Sequence, residues 1–321
     1  MTQWKFESTG DEVVAAFKER VQGKTIVITG PSAGGIGSET AVSLAKASPS
    51  LLILAGRSES KIAPVIARIA ESSPGVNVQF ISLDLGSLKS VRNAAAEINA
   101  KVSKIDLLIN NAAIMASPYA KSEDGIESQF ATNHIGHFLL TKLLMDKILA
   151  AGPGSRIVNV SSSAALRGTI RYDDYNFQDG AAYDPWLGYS QAKISNIVFS
   201  RALARKLKSR GIFSYSLHPG SIISNLQVHM NAAPGGREGA IAKAKAAAEK
   251  AGQKFEMPVD KTLQQGCSTT LVAALDPTIE PQTGAYLWDC NLREEQPWTE
   301  EEDQEKLWGL SERLIGEKFE L

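Results

Sequence analysis

Cysteine is scarce: Cys267 and Cys290 are the only two among 321 residues, with no CxxC between them, and the four histidines do not cluster at metal-ligand spacing. Neither a disulfide framework nor a zinc site has support, and both cysteines are expected as buried thiols. Excess charge of one sign is also missing. Lys plus Arg number 34 against 35 Asp plus Glu, a formal net charge of -1, so there is no basic stripe for a nucleic-acid backbone and a small-molecule ligand is expected instead. No apolar run approaches the ~18 residues of a membrane span. The first 25 residues hold Lys5, Glu7, Asp11, Glu12, Lys18, Glu19 and Arg20, unlike the apolar core of a signal peptide, and a cytoplasmic protein is expected. What is present is ordinary: 43% hydrophobic and 21% charged residues suffice for a sizeable core and exclude a disordered chain.

From Lys24 onward, short runs rich in Val, Ile and Leu alternate with longer helical patterns: KTIVITG, LLILAGR, NVQFISLDL, KIDLLINNA, SRIVNVSSS, FSYSLHPG and GAYLWDC. Apolar runs without polar alternation fit strands buried on both faces. Seven such strands separated by helices predict an α/β fold, a Rossmann-type doubly wound and mostly parallel sheet in a single domain spanning 24–321. Ligands then belong beyond the carboxyl ends of the strands. Residues 1–23 predict an amphipathic helical extension with Val13, Val14, Phe17 and Val21 on one face. Two segments, about 164–188 and 221–260, break the rhythm and are expected as substrate lobes. The C-terminal run predicts a helix with an acidic start and Leu307, Leu310 and Leu314 on one face, either core cover or a dimer contact.

The first strand runs into Gly30, Pro31, Ser32, Ala33, Gly34, Gly35, Ile36 and Gly37, then into a helical pattern. A glycine-rich strand-to-helix turn lets backbone amides approach a pyrophosphate, whose charge the helix start stabilises. The second strand ends at Arg57, with no acid there to meet ribose hydroxyls; its planar fork suits a 2′-phosphate, which favours NADP(H) over NAD(H). Asp84, after the third strand, either accepts from an adenine amine or caps the helix that begins near Ser87.

In GYSQAKISNIVFSRALARKL, Tyr189 and Lys193 lie one turn apart on one helix face, with Cβ atoms roughly 5–6 Å apart. A free tyrosine has a pKa of about 10, and a neighbouring cation favours its ionised form, so Lys193 is expected to tune Tyr189 for general acid-base work.

Taken together, TGPSAGGIG, LDL at 83–85, NNAA at 110–113, TNHIGHF at 132–138, VNVSSS at 158–163, YSQAK at 189–193 and HPGSIIS at 218–224 resemble the short-chain dehydrogenase/reductase family, from about Lys24 to Tyr286. The resemblance implies a catalytic tetrad of Asn133, Ser162, Tyr189 and Lys193. Ser162 would bind the substrate oxygen, Tyr189 deliver the proton, Lys193 hold the ribose and lower the tyrosine pKa, and Asn133 anchor a relay water. It also implies cofactor contacts from Gly30, Ser32, Gly35, Ile36, Asp84, Leu85, Asn111, Ala112, Ala113, Pro219, Gly220, Ile222 and Ser224, beside Tyr189 and Lys193. Ser161 and Ser163 are alternatives to Ser162, strand-end capping is an alternative role for Asn111, and His134 and His137 are expected to pack or hydrogen-bond rather than act as bases.

Three features depart from the family pattern. The span from Thr29 to Gly37 carries one residue more than TGxxxGxG, which leaves open which amides meet the pyrophosphate; NNAA stands for NNAG; and Ser162 and Tyr189 are 27 positions apart. That wide spacing resembles the retinol-dehydrogenase-like and related fungal or plant branches. The implied activity is reversible, NADPH-dependent reduction of a ketone or aldehyde on a mainly apolar small molecule. An epimerase or dehydratase, and a nicotinamide-binding sensor without turnover, are the rival readings. A homodimer is compatible with the family.

Overall fold

The computed structural model of the protein describes residues 3–250 and 259–321; residues 251–258 of the second expected lobe, and Met1 and Thr2 of the N-terminal extension, lie outside the described residues. In chain order the strands are β1 (Thr25–Thr29), β2 (Leu51–Gly56), β3 (Val78–Ser82), β4 (Leu107–Asn110), β5 (Arg156–Val160), β6 (Phe213–His218), β7 (Ser221–Ile222), β8 (Asp260–Lys261), β9 (Tyr286–Trp288) and β10 (Asn291–Leu292). The helices are α1 (Gly10–Ala16), α2 (Ile36–Ala45), α3 (Glu59–Ser72), α4 (Leu88–Lys101), α5 (Ser128–Phe130), α6 (Gly136–Ala151), α7 (Pro185–Leu207), α8 (Val228–Ala232), α9 (Gly236–Lys250), α10 (Leu263–Leu275) and α11 (Glu301–Ile315).

The main sheet has the order β10-β9-β6-β5-β4-β1-β2-β3 and is parallel except for β10, which pairs antiparallel with β9. All seven expected strands are present. The eighth, β10, is a correction to the expected count: two residues folded back along β9 are too short to leave a pattern in the sequence. Chain order reverses between β1 and β4, which lie side by side, and this opens the crevice where such sheets bind ligands.

Alternate strand residues feed two cores. Val27, Ile53, Leu108 and Ile157 enter the one closed by α4, α6, α7 and α11; Ile26, Ile28, Leu52, Leu54, Val158 and Leu217 enter the one closed by α1, α2, α3 and α10. Burial of both faces is the reason the strands lack polar alternation. Helix α1 starts at a capping box between Thr9 and Glu12 and buries Val13 and Val14. It packs so closely on α10 that a Cβ at Gly10 would lie 2.4 Å from Cys267 Sγ. Helix α11 buries Leu307, Trp308, Leu310 and Ile315, with Leu314 partly covered, so its apolar face is core cover.

The helix that carries Tyr189 and Lys193 is specified at its start. Pro185 takes the first helical position, and the Asp184 carboxylate accepts from the amides of Trp186 and Leu187 at 2.8 and 3.0 Å. Ahead of it, the first lobe is pinned by the buried Phe177 ring, with Arg171 over its face at 5.0 Å. The second lobe is rooted by the parallel pair β7–β8.

Gly136, the first residue of α6, sits against the loop after β3. A Cβ there would lie 2.3 Å from the Leu85 carbonyl oxygen. Gly136→Ala therefore forces helix and loop apart, and thermal unfolding should register a loss of about 1–3 kcal/mol. An unchanged or higher melting temperature would contradict this packing.

Candidate active site

The end of β1 is tied to the end of β4. The Thr29 hydroxyl accepts from the backbone amides of Asn111 and Ala112 at 2.9 and 3.0 Å, and the Asn111 side-chain amide donates to the Thr29 and Gly30 carbonyls at 2.8 and 3.2 Å. Gly30, at φ +66°, lies where a Cβ would come within 2.7 Å of Ala112 Cβ, and a Cβ on Gly37 would lie 2.4 Å from Asn111 Nδ2. Glycine is required at both places by this close approach. The Asn111 side chain thus braces the glycine turn. Sequence reasoning passes over Thr29 as a site residue; its signal is a hydroxyl at the end of an otherwise apolar strand.

Gly35 stands at the N-cap of α2 with no side chain to cap it, so the first-turn amides at Ile36 and Gly37 are left for another acceptor. Ser32 shapes the turn by accepting Gly35 N–H at 3.1 Å, and Ala33 N–H donates to the Lys61 carbonyl at 2.9 Å, which joins the turn to α3. Arg57 follows β2, is exposed, and makes no ion pair among the described residues. Asp84 is not the cap of α4: Ser87 holds that place, accepting from Ser90 N–H, while Asp84 Oδ1 accepts from Gly86 N–H at 2.9 Å. The Leu85 side chain is buried in the core, and its carbonyl oxygen and Cβ both face Gly136.

The tetrad positions converge from three elements. Asn133 lies in a π-type turn, Ala131–Ile135, and both polar atoms of its side chain are engaged by the Ile114 backbone at 2.9 Å. It therefore braces the loop after β4, next to Met115. Ser162 follows β5, and its hydroxyl accepts from Ala164 N–H at 3.2 Å while lying near enough to Tyr189 to favour the ionised phenol. Ser161 points elsewhere, donating to the Lys193 carbonyl at 2.6 Å, and Ser163 contributes its backbone N–H to His218 Nδ1 at 3.1 Å. Of the three serines, Ser162 is the one whose hydroxyl acts on the phenol. Lys193 Nζ donates to the Val160 carbonyl at 2.8 Å and lies 5.7 Å from the Tyr189 ring centre. Asn196 Nδ2 shares that carbonyl at 3.1 Å. On the far side, Gly220 (φ +102°) follows Pro219, Ile222 lies in β7, and Ser224 caps a short 3-10 turn, Asn225–Gln227.

Burial sets the protonation of this constellation. Tyr189 is 3% exposed and Lys193 1%. Desolvation pushes the phenol up to about 12, with the nearby Ser162 hydroxyl pulling the other way, and draws the ammonium down to about 7. The expected lowering of the tyrosine by the lysine is not found: removal from water displaces each group toward its neutral form.

The profile described as short chain dehydrogenase matches residues 24–177. Human retinol dehydrogenase 13 is 36% identical over 302 residues, 93% of this chain and 86% of that protein. The chain belongs to the short-chain dehydrogenase/reductase family. Short-chain dehydrogenase/reductase prx1 of Penicillium roqueforti is 35% identical over 314 residues, 92% of this chain and 86% of that one. A Mycobacterium paratuberculosis protein of solved structure superposes with a TM-score of 0.69 at 31% identity, covering 94% of this chain and 96% of its own. The NADPH-bound carbonyl reductase from chicken fatty liver, 23% identical, shares the fold with a TM-score of 0.58 over 85% of this chain and 99% of that one. The match to the human retinol dehydrogenase covers nearly the whole chain, whereas the short chain dehydrogenase profile ends at residue 177.

This short-chain dehydrogenase/reductase also buries three histidines around its site. His137 Nδ1 faces the Asn133 carbonyl at 3.0 Å and so carries the proton, leaving Nε2 to accept from Thr29 at 2.8 Å. His134 meets Ser311 of α11 at 2.9 Å, and His218 packs on Trp288 with ring centres 4.4 Å apart. Desolvation lowers His134 to about 3, His137 to about 4 and His218 to about 3. Below pH 6.5 the unfolded chain takes up protons that the folded one refuses. Stability is therefore complete above about pH 6.5 and is lost as pH falls from there toward 4. Denaturation midpoints should be lower at pH 5.0 than at pH 7.5; equal midpoints would mean that the buried rings are protonated in the folded state.

Among the described residues, no helix is long and apolar enough to cross a membrane.

Proposed function

We propose that this chain is an NADPH-preferring oxidoreductase that interconverts a carbonyl and an alcohol on an apolar, uncharged small molecule. One observation carries the reading. The Tyr189 side chain packs with Met115 and Met230, and Ala116, Ala164, Leu226 and Ala240 lie against them, with the Ser162 hydroxyl near the phenol. A substrate seated there meets two hydroxyls at its oxygen and pliable thioether and methyl surface around its body. Methionine walls adapt to irregular apolar shapes. Retinol, for which the human relative is named, is an alcohol of this class.

The residues at the crevice fit a nicotinamide dinucleotide: an uncapped α2 start behind glycines that a Cβ would obstruct, and an exposed Arg57 after β2 that makes no ion pair among the described residues. In the proposed reaction the dinucleotide supplies or accepts the hydride. The protein does the rest. Ser162 and Tyr189 donate to the substrate oxygen, and a phenol held near 12 keeps its proton at neutral pH, ready to pass it to the alkoxide formed in the reducing direction. Lys193, poised near 7, is placed to restore charge close to Tyr189 once anionic groups occupy the crevice. Asn133 holds the wall that carries Met115.

The test is oxidation of NADPH and NADH over a panel of apolar aldehydes and ketones. The wild type should turn over with NADPH preferred, and Tyr189→Phe should lose about 10²–10⁴ in kcat while still binding the dinucleotide. Arg57→Ala should raise the KM for NADPH roughly tenfold or more and leave that for NADH unchanged. Equal activity of wild type and Tyr189→Phe would remove the phenol from the reaction; dinucleotide binding without turnover of any carbonyl would favour a sensor.

A further inference from the structure

The glycine turn, one residue longer than the TGxxxGxG pattern, has a partner. The Ala33 carbonyl accepts from Asn225 Nδ2 at 2.7 Å, across 192 residues of chain. Gly34, at φ +77°, lets the turn bulge toward that side chain; a Cβ there would lie 3.2 Å from the same nitrogen. Asn225 begins the 3-10 turn of the second lobe, just after Ser224.

The path between these points matters. The sheet order runs β6-β5-β4-β1. A segment that leaves β6 and fastens to the turn after β1 passes over the carboxyl ends of β5 and β4, the crevice in which a dinucleotide lies. The root of this segment is held many times over. Gly220 packs on the Lys261 stem, where a Cβ would lie 2.7 Å from Lys261 Cδ, and Ser221 Oγ donates to Asp260 Oδ1 at 2.7 Å. Arg237 forms an ion pair with the same carboxylate. Ile222 meets Ile36 across Gly266, where a Cβ would lie 2.7 Å from one and 2.9 Å from the other. The tip is different. Among the described residues, the exposed Asn225–Ala33 bond is the single hydrogen bond between the second lobe and the glycine turn.

We propose that Asn225 is a positioning residue for the cofactor: it latches the second lobe to Ala33 of the lengthened glycine turn, and the opening of that latch governs dinucleotide release. The proposal rests on the dinucleotide reading above. On the substrate side Leu226 and Met230 pack with Met115 and Tyr189; on the side of the glycine turn this one solvent-exposed tie contributes what a single neutral hydrogen bond does.

The experiment compares wild type, Asn225→Ala and Asn225→Leu of the full chain. NADPH dissociation is followed by stopped-flow fluorescence on mixing with excess NADP+, alongside steady-state KM values and the melting temperature of the cofactor-free protein. Leucine keeps the volume of asparagine and removes the donor. Both variants should release NADPH about threefold to tenfold faster, with the KM for NADPH raised, the KM for the carbonyl unchanged and the melting temperature unmoved. Release from the leucine variant at the wild-type rate, or from all three proteins at one rate, would overturn the latch while the dinucleotide reading stands. A wild type that binds neither NADPH nor NADH would overturn both.

Discussion

Everything at the crevice depends on how closely β1 and β4 are held where their helices part. Two parallel strands whose connections leave on opposite faces must open a gap at their carboxyl ends. In this chain the gap has a fixed floor. The Thr29 hydroxyl collects two backbone amides from the end of β4 and donates to His137, while Asn111 returns its side-chain amide to the end of β1. Buried polar groups satisfied in both directions resist rearrangement, since breaking one bond strands its partner away from water. The glycine turn, the loop carrying Met115 and the π-type turn carrying Asn133 all hang from this junction.

Desolvation is the second theme. Tyr189, Lys193, His137 and His218 are all withdrawn from water, and each is displaced toward its neutral form. A site poised this way responds strongly to any charge that enters it, because little solvent remains to screen the field. The same burial makes the protein acid-sensitive through its histidines, so the electrostatics of the site and the stability of the fold have a common origin.

Much of this was legible in the sequence, for identifiable reasons. Strands buried on both faces announce themselves as unbroken Val, Ile and Leu, and the spacing of Tyr189 and Lys193 translates directly into one helix face. Asp184-Pro185 at the start of that helix is a local signal. The remainder is tertiary. The depth of burial that drives Tyr189 and Lys193 toward their neutral forms has no local signature, and neither does the meeting of Met115 with Met230. The partner of Ala33 in the glycine turn lies 192 positions away. Strand β10 escapes because two residues make no periodicity, and the capping role open to Asp84 goes to Ser87, three residues on, where geometry rather than residue type decides.

That small strand alters the boundary of the sheet. A parallel sheet has two open rims, each a row of amides and carbonyls able to recruit a strand from another molecule. By folding Asn291 and Leu292 back along β9, the chain caps one rim with a strand too short and of the wrong direction to propagate the ladder. Among the described residues, the β3 rim of the main sheet keeps the direction and length of the parallel array. Of the two rims, it is therefore the one better suited to accept a further parallel strand.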